Sequence, residues 1–141
     1  MKSALKLLIA NDMDHLHAAM KDLDIFLETH GASPRLAYEI RLAFEELVIN
    51  IVKHGYDDTD RHLIEVALAL DSPATMTILD DGHPFDPSTD APAPTLDAPI
   101  EDRPIGGLGL HLLRTMGLAM DYRREGSRNV LRITFPSAER P

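Results

Sequence analysis

No cysteine occurs anywhere in the 141 residues. Disulfides, thiolate metal sites and cysteine nucleophiles are therefore excluded, in agreement with a reducing compartment. Long apolar runs are missing too. No segment approaches the ~20 apolar residues of a membrane span, and the N-terminal stretch MKSALKLLIANDMDH has neither the apolar length nor the small-residue cleavage site of a secretory signal. The expected location is the cytoplasm, with no membrane partner. Positive charge is scarce, with 14 Lys and Arg against 23 Asp and Glu and a formal charge of −9. Nucleic-acid binding is driven by basic side chains against phosphate, so this balance disfavours a direct nucleic-acid partner. A small anion such as a nucleotide needs local help against the acidic field, from a divalent cation, backbone amides and a few placed cations.

What is present suits one globular domain over residues 1–141, since 44% of the chain is hydrophobic and the length supports a single core. The chain is organised around YEIRLAFEELVINIVKHGY, residues 38–56. It reads as a long helix, with Ser33 and Pro34 as N-cap and first helical residue and Gly55 as its stop. Leu36, Ile40, Ala43, Phe44, Leu47, Val48, Ile51 and Val52 form one apolar arc that must face a sheet. Beside it run Glu39, Glu46, Asn50 and Lys53, a stripe that stacks carboxylates, an amide and an ammonium. These are either ordinary surface charges or one edge of a site. Asn50 favours the site, because Asn competes with the backbone for hydrogen bonds and is a poor mid-helix residue.

In chain order, residues 3–9 alternate as a half-buried strand. Asn11 and Asp12 cap a helix that keeps Met13, Leu16, Met20, Leu23 and Leu27 at helical spacing until His30 and Gly31. His15 and His17, two apart, point to different faces and make no metal pair. After the central helix, residues 62–70 and 75–79 alternate around an Asp71-Ser72-Pro73 turn, a hairpin whose second strand carries Met76 and Ile78 on the same face as Asp80. From Asp86 onward prolines recur too often for regular structure, so about 86–105 reads as a long lid-like loop. Gly106-Gly107-Leu108-Gly109-Leu110 then opens a helix that Gly117 ends. The glycines serve either as hinges or as a helix N-terminus where phosphate can approach backbone amides. Two strands near 118–124 and 130–135 close the chain. The order predicts an α+β two-layer sandwich, a mixed and mostly antiparallel sheet with helices on one face.

EELVINIVKHGY, DDGHPFDP and GGLGLHLL, in that order, resemble the N box and the two G boxes of the GHKL ATP-binding superfamily, whose branches include gyrase, MutL, histidine kinases and anti-sigma-factor serine/threonine kinases. The small stand-alone kinases of the RsbW and SpoIIAB type are similar in length and in the ending HGY. The resemblance implies the GHKL (Bergerat) ATP-binding fold, with ATP and Mg²⁺ as ligands. It makes Asn50 the Mg²⁺ ligand and Glu46 the general base. It makes Asp80 the acceptor for the adenine amino group, with Gly82 giving the base room. Gly107, Leu108, Gly109 and Leu110 would offer amides to the phosphates, and Lys53 a nearby charge. Pro84 departs from the second glycine of many members, which leaves His83 as an incidental loop residue, and Arg103 is not aligned securely with the kinases' lid arginine.

The function implied is that of an ATP-dependent serine/threonine protein kinase acting on a STAS-domain anti-sigma factor antagonist. Partners would also include a sigma factor or another regulator, with a homodimer as a candidate assembly. The alternative is a nucleotide-dependent partner-switching module without phosphoryl transfer. Glu46 favours the enzyme, because a carboxylate beside bound phosphates can orient or deprotonate a hydroxyl.

Overall fold

A computed structural model describes residues 3–90, 113 and 115–136. The first strand, β1 (Ala4–Ala10), leads through Asp12 into helix α1 (Met13–Thr29). The Asp12 side chain accepts from His15 N at 2.8 Å, closing the N-cap anticipated from the sequence. Gly31 takes φ +69°, the left-handed conformation that ends the helix cheaply only at glycine. Helix α2 (Pro34–His54) starts at Ser33, whose hydroxyl accepts from Leu36 N at 3.2 Å, and is capped at its far end by Gly55.

The two helices lie between strands that are neighbours. Helix α2 leads to β2 (Leu63–Ala69), which pairs antiparallel with β1, and a hairpin leads to β3 (Thr75–Asp80). The chain then passes beyond its own sheet edge to β4 (Ala119–Glu125) and returns as β5 (Arg128–Thr134) between β4 and β3. The strand order is β1-β2-β3-β5-β4, and all four pairings are antiparallel. The predicted two-layer α+β architecture is the observed one.

Alternation with a period of two sends Ile64, Val66 and Leu68 of β2 and Met76 and Ile78 of β3 to one face. They pack with Ile40, Phe44 and Val48 of α2 and Leu16 and Leu23 of α1 in a single core. Leu113 is fully buried in the same core. Leu113 and Thr115 are helical, and Gly117 takes φ +73°, the stop anticipated there. No helix among the described residues is long and apolar enough to cross a membrane.

Candidate nucleotide site

The apolar rows of β3 and β5 run side by side and end together. Met76 faces Ile133, Ile78 faces Leu131, and the next pair is Asp80 with Asn129. Each of these two polar residues is only 5% exposed, so their hydrogen bonds must be found inside the protein. Asp80 Oδ1 accepts from Gly82 N at 2.9 Å and from Asn129 Nδ2 at 2.9 Å. Burial pushes the Asp80 carboxyl upward from its ordinary value. The two hydrogen bonds oppose this shift, Asp81 adds to it, and Arg124 opposes it.

The turn leaving β3 is joined to the end of α2. His83 N donates to Gly55 O at 2.9 Å, and a Cβ added to Gly82 would lie 2.6 Å from that same carbonyl oxygen. Gly82 therefore has a packing reason to be glycine, close approach of the helix terminus, independent of any role beside a bound base. At about 1.5 Å per residue, Asn50 lies about 7.5 Å and Glu46 about 13.5 Å along the helix from Gly55. The four polar residues read as one stripe are graded in exposure. Glu39 is buried, with Arg35 Nε donating to it at 3.5 Å; Glu46 and Asn50 are half-buried, and Lys53 is exposed. Burial, and then the charge of Glu45, push the Glu46 carboxyl upward, which strengthens it as a proton acceptor.

A second cluster braces the same turn from the loop after α2. His62 Nε2 lies 2.8 Å from Asp58 Oδ1, and its Nδ1 lies 3.1 Å from Asp81 Oδ1. The ring stacks on Tyr56, with centroids 4.0 Å apart. The Tyr56 hydroxyl is buried with no hydrogen-bond partner among the described residues, and burial, with Asp80 and Asp81 behind it, pushes its pKa up. His83, beyond its backbone role, pairs with Asp57 at 3.1 Å.

The structure thus brings Asp80 and Gly82 against the end of the helix that carries Glu46, Asn50 and Lys53. Gly107, Leu108, Gly109, Leu110 and Arg103 lie outside the described residues, as does the lid beyond residue 90. Residues 86–90 form a turn in which Asp90 N donates to Asp86 O at 2.7 Å. Sequence reasoning missed Asn129 and the side chains behind it. Tyr122 and Arg124 both donate to Asn129 Oδ1, and Arg124 Nη1 also reaches Gly82 O at 2.8 Å. The available signal was an Asn on an otherwise apolar strand face, in a strand that returns beside Asp80.

The histidine kinase-like ATPase domain family matches residues 9–135. The serine/threonine-protein kinase BtrW of Bordetella bronchiseptica is 34% identical over 109 residues, covering 75% of each chain. The solved RsbU and RsbW domains of Rv1364c from Mycobacterium tuberculosis superpose with a TM-score of 0.62 at 18% identity, over 95% of this chain and 32% of that one. The histidine kinase domain of the blue-light activated histidine kinase EL346 from Erythrobacter litoralis gives 0.54 at 16% identity, over 89% of this chain and 61% of that one. This chain is therefore about a third the span of the first solved structure and about three-fifths that of the second. At those identities the two structures speak for the fold.

Proposed function

Because this chain belongs to the histidine kinase-like ATPase family, we propose that it is an ATP-binding regulatory protein that phosphorylates a serine or threonine of a STAS-domain anti-sigma factor antagonist. A sigma factor or similar regulator is its second partner, and residues 1–141 act as one domain. The observation that supports this best is the buried Asp80 carboxylate, tied through Gly82 and His83 to the end of the helix bearing Glu46 and Asn50. The relative from Bordetella, a serine/threonine-protein kinase by name, points to the same reaction class.

In this reading Asp80 accepts a hydrogen bond from the exocyclic amino group of adenine. Gly107, Leu108, Gly109 and Leu110 offer backbone amides to the phosphates, and Lys53 adds a positive charge near them. The donor set fits Mg²⁺, which takes one or two protein oxygens and completes its shell with phosphate and water. Asn50 offers one amide oxygen from a half-buried helical position, and the described residues contain no cluster of three acidic or histidine ligands. Bound there, the ion would neutralise charge on the phosphates. Glu46, one turn before Asn50, accepts the proton of the partner's hydroxyl as that oxygen bonds to the terminal phosphorus and the bond to ADP breaks.

The test uses the purified protein, ATP with Mg²⁺ and a co-encoded STAS-domain protein. Phosphoprotein mass spectrometry should find a phosphorylated serine or threonine on the STAS protein. Glu46→Gln keeps the size and removes the proton acceptor, so transfer should fall by roughly 10²-fold or more while ATP affinity stays near wild type. Wild-type protein that binds ATP and phosphorylates no STAS partner would replace the kinase with a nucleotide-dependent switch.

A further inference from the structure

Nucleotide binding as described makes no use of Arg124, yet this side chain touches both halves of the Asp80 network. It sits on β4, the edge strand, opposite Asn129 in the register. Its Nη1 donates to Gly82 O at 2.8 Å and to Asn129 Oδ1 at 3.1 Å, and its Nε donates to Gly126 O at 3.2 Å. One guanidinium fork thus fastens the tip of the β4–β5 hairpin to the turn that leaves β3.

The fork also decides which way the buried amide of Asn129 points. A guanidinium can only donate, and the Tyr122 hydroxyl donates to the same atom, so the amide oxygen must face β4. The amide nitrogen then faces the other way, donating to Asp80 Oδ1 at 2.9 Å and to His83 O at 2.7 Å. With the amide reversed, its oxygen would confront the Asp80 carboxylate and its NH₂ the guanidinium. The preferred orientation fills Oδ1 with two donors, and in the ATP-binding reading Oδ2 is the oxygen left to meet a base. An ionised carboxylate accepts at Oδ2, whereas a protonated one can donate there. Adenine offers an amino donor at that edge, and hypoxanthine a carbonyl acceptor.

We propose that Arg124 is a positioning residue for nucleobase selectivity, orienting Asn129 and the Gly82 turn so that Asp80 stays a hydrogen-bond acceptor for a purine amino group. This inference rests on the ATP-binding reading above. The groups acting on Asp80 are consistent with it: burial and Asp81 favour the neutral acid, while Asn129, Gly82 and Arg124 favour the anion. Tyr56 stands nearby as a neutral phenol.

The experiment is calorimetric titration of the full chain with ATP and with ITP, at about pH 6 and about pH 8. Arg124 is exposed, so Arg124→Met should fold, and its melting without nucleotide checks that it does. The ATP-to-ITP affinity ratio should drop about 10-fold in Arg124→Met, the scale of losing one charge-assisted hydrogen bond, and further at the lower pH. Tyr122→Phe, which removes one donor to Asn129 and keeps the ring, should lower the ratio in the same direction. An unchanged ratio in Arg124→Met, or equal weakening of both nucleotides, overturns the proposal while leaving ATP binding intact. Wild-type protein that binds neither ATP nor ADP overturns the functional reading and this inference with it.

Discussion

In the proposed reading, Asp80 is the residue at which folding and recognition compete. A carboxylate 5% exposed is costly unless donors surround it, and here both donors converge on Oδ1. Asp80→Asn should therefore do more than remove a charge. The oxygen of the new amide would take the place of Oδ1, facing Gly82 N and Asn129 Nδ2, and its NH₂ would take the place of Oδ2. A donor would then confront the adenine amino group, itself a donor. ATP affinity should fall by about 1 to 3 kcal/mol, the cost of leaving a buried polar group unsatisfied. Isothermal titration measures the loss directly, and an Asp80→Asn protein with wild-type affinity would remove Asp80 from base recognition.

At the scale of elements, the junction between α2 and β3 is held by a backbone bond and by a histidine brace. Gly55 O and His83 N join the two directly, while His62 in the following loop sits between Asp58 and Asp81. Its backbone is also fixed, with N donating to Asn11 Oδ1 at 2.9 Å and O accepting from Asn11 N at 3.1 Å. The backbone is thus held in place, and the ring rests on Tyr56 between the two carboxylates. Asp58 raises the pKa of His62, burial opposes part of that rise, and Asp81 adds to it. A histidine whose folded pKa exceeds its unfolded value of about 6.5 contributes its full stabilisation below that value and loses it as pH rises through the folded pKa. The partner carboxylate Asp58 is shifted down, so its share is lost only at acid pH, as it becomes protonated. Urea midpoints of wild type and His62→Gln should therefore differ most at mildly acidic pH and differ less at alkaline pH. The loss of stacking on Tyr56 adds an offset that does not vary with pH. A gap that stays constant from about pH 5.5 to 9 would mean that the ring acts by packing alone.

For the whole molecule, one core serves both layers, so a ligand at the α2–β3 junction should stabilise the entire fold. ATP with Mg²⁺ at about 100 times its dissociation constant should add about 2.7 kcal/mol to unfolding, read as a rise in the thermal midpoint. Asp80→Asn at the same nucleotide concentration should gain much less. The charge of −9 works against any anionic ligand over the surface as a whole. In the proposed reading, recognition comes from directed donors and acceptors at short range, with Asp80 as acceptor and Asn129 and Arg124 bonded around it.

Local rules were sufficient for much of this protein. Ser33-Pro34 and Asp12 start the helices, Gly31, Gly55 and Gly117 end their helical turns, and the alternation in 63–69 and 75–80 marks the hairpin, because caps and period-two burial depend on near neighbours in the chain. Asp80 could be read for the same reason, as the carboxylate that ends an apolar row. The burial of Glu39 was not legible, since helical angle alone puts it in line with Glu46 and only the packing around α2 separates them. The strand order was not legible either. Returning β5 between β3 and β4 sets Asn129 opposite Asp80, 49 residues apart in the chain. That crossover also carries Arg124 to the Gly82 turn, 42 residues away. Gly82 also has a packing reason to be glycine that was not legible, the close carbonyl of Gly55. Pairings over such separations depend on which sheet edge the chain returns to, and that is decided by the shared core of both layers, not by any segment alone.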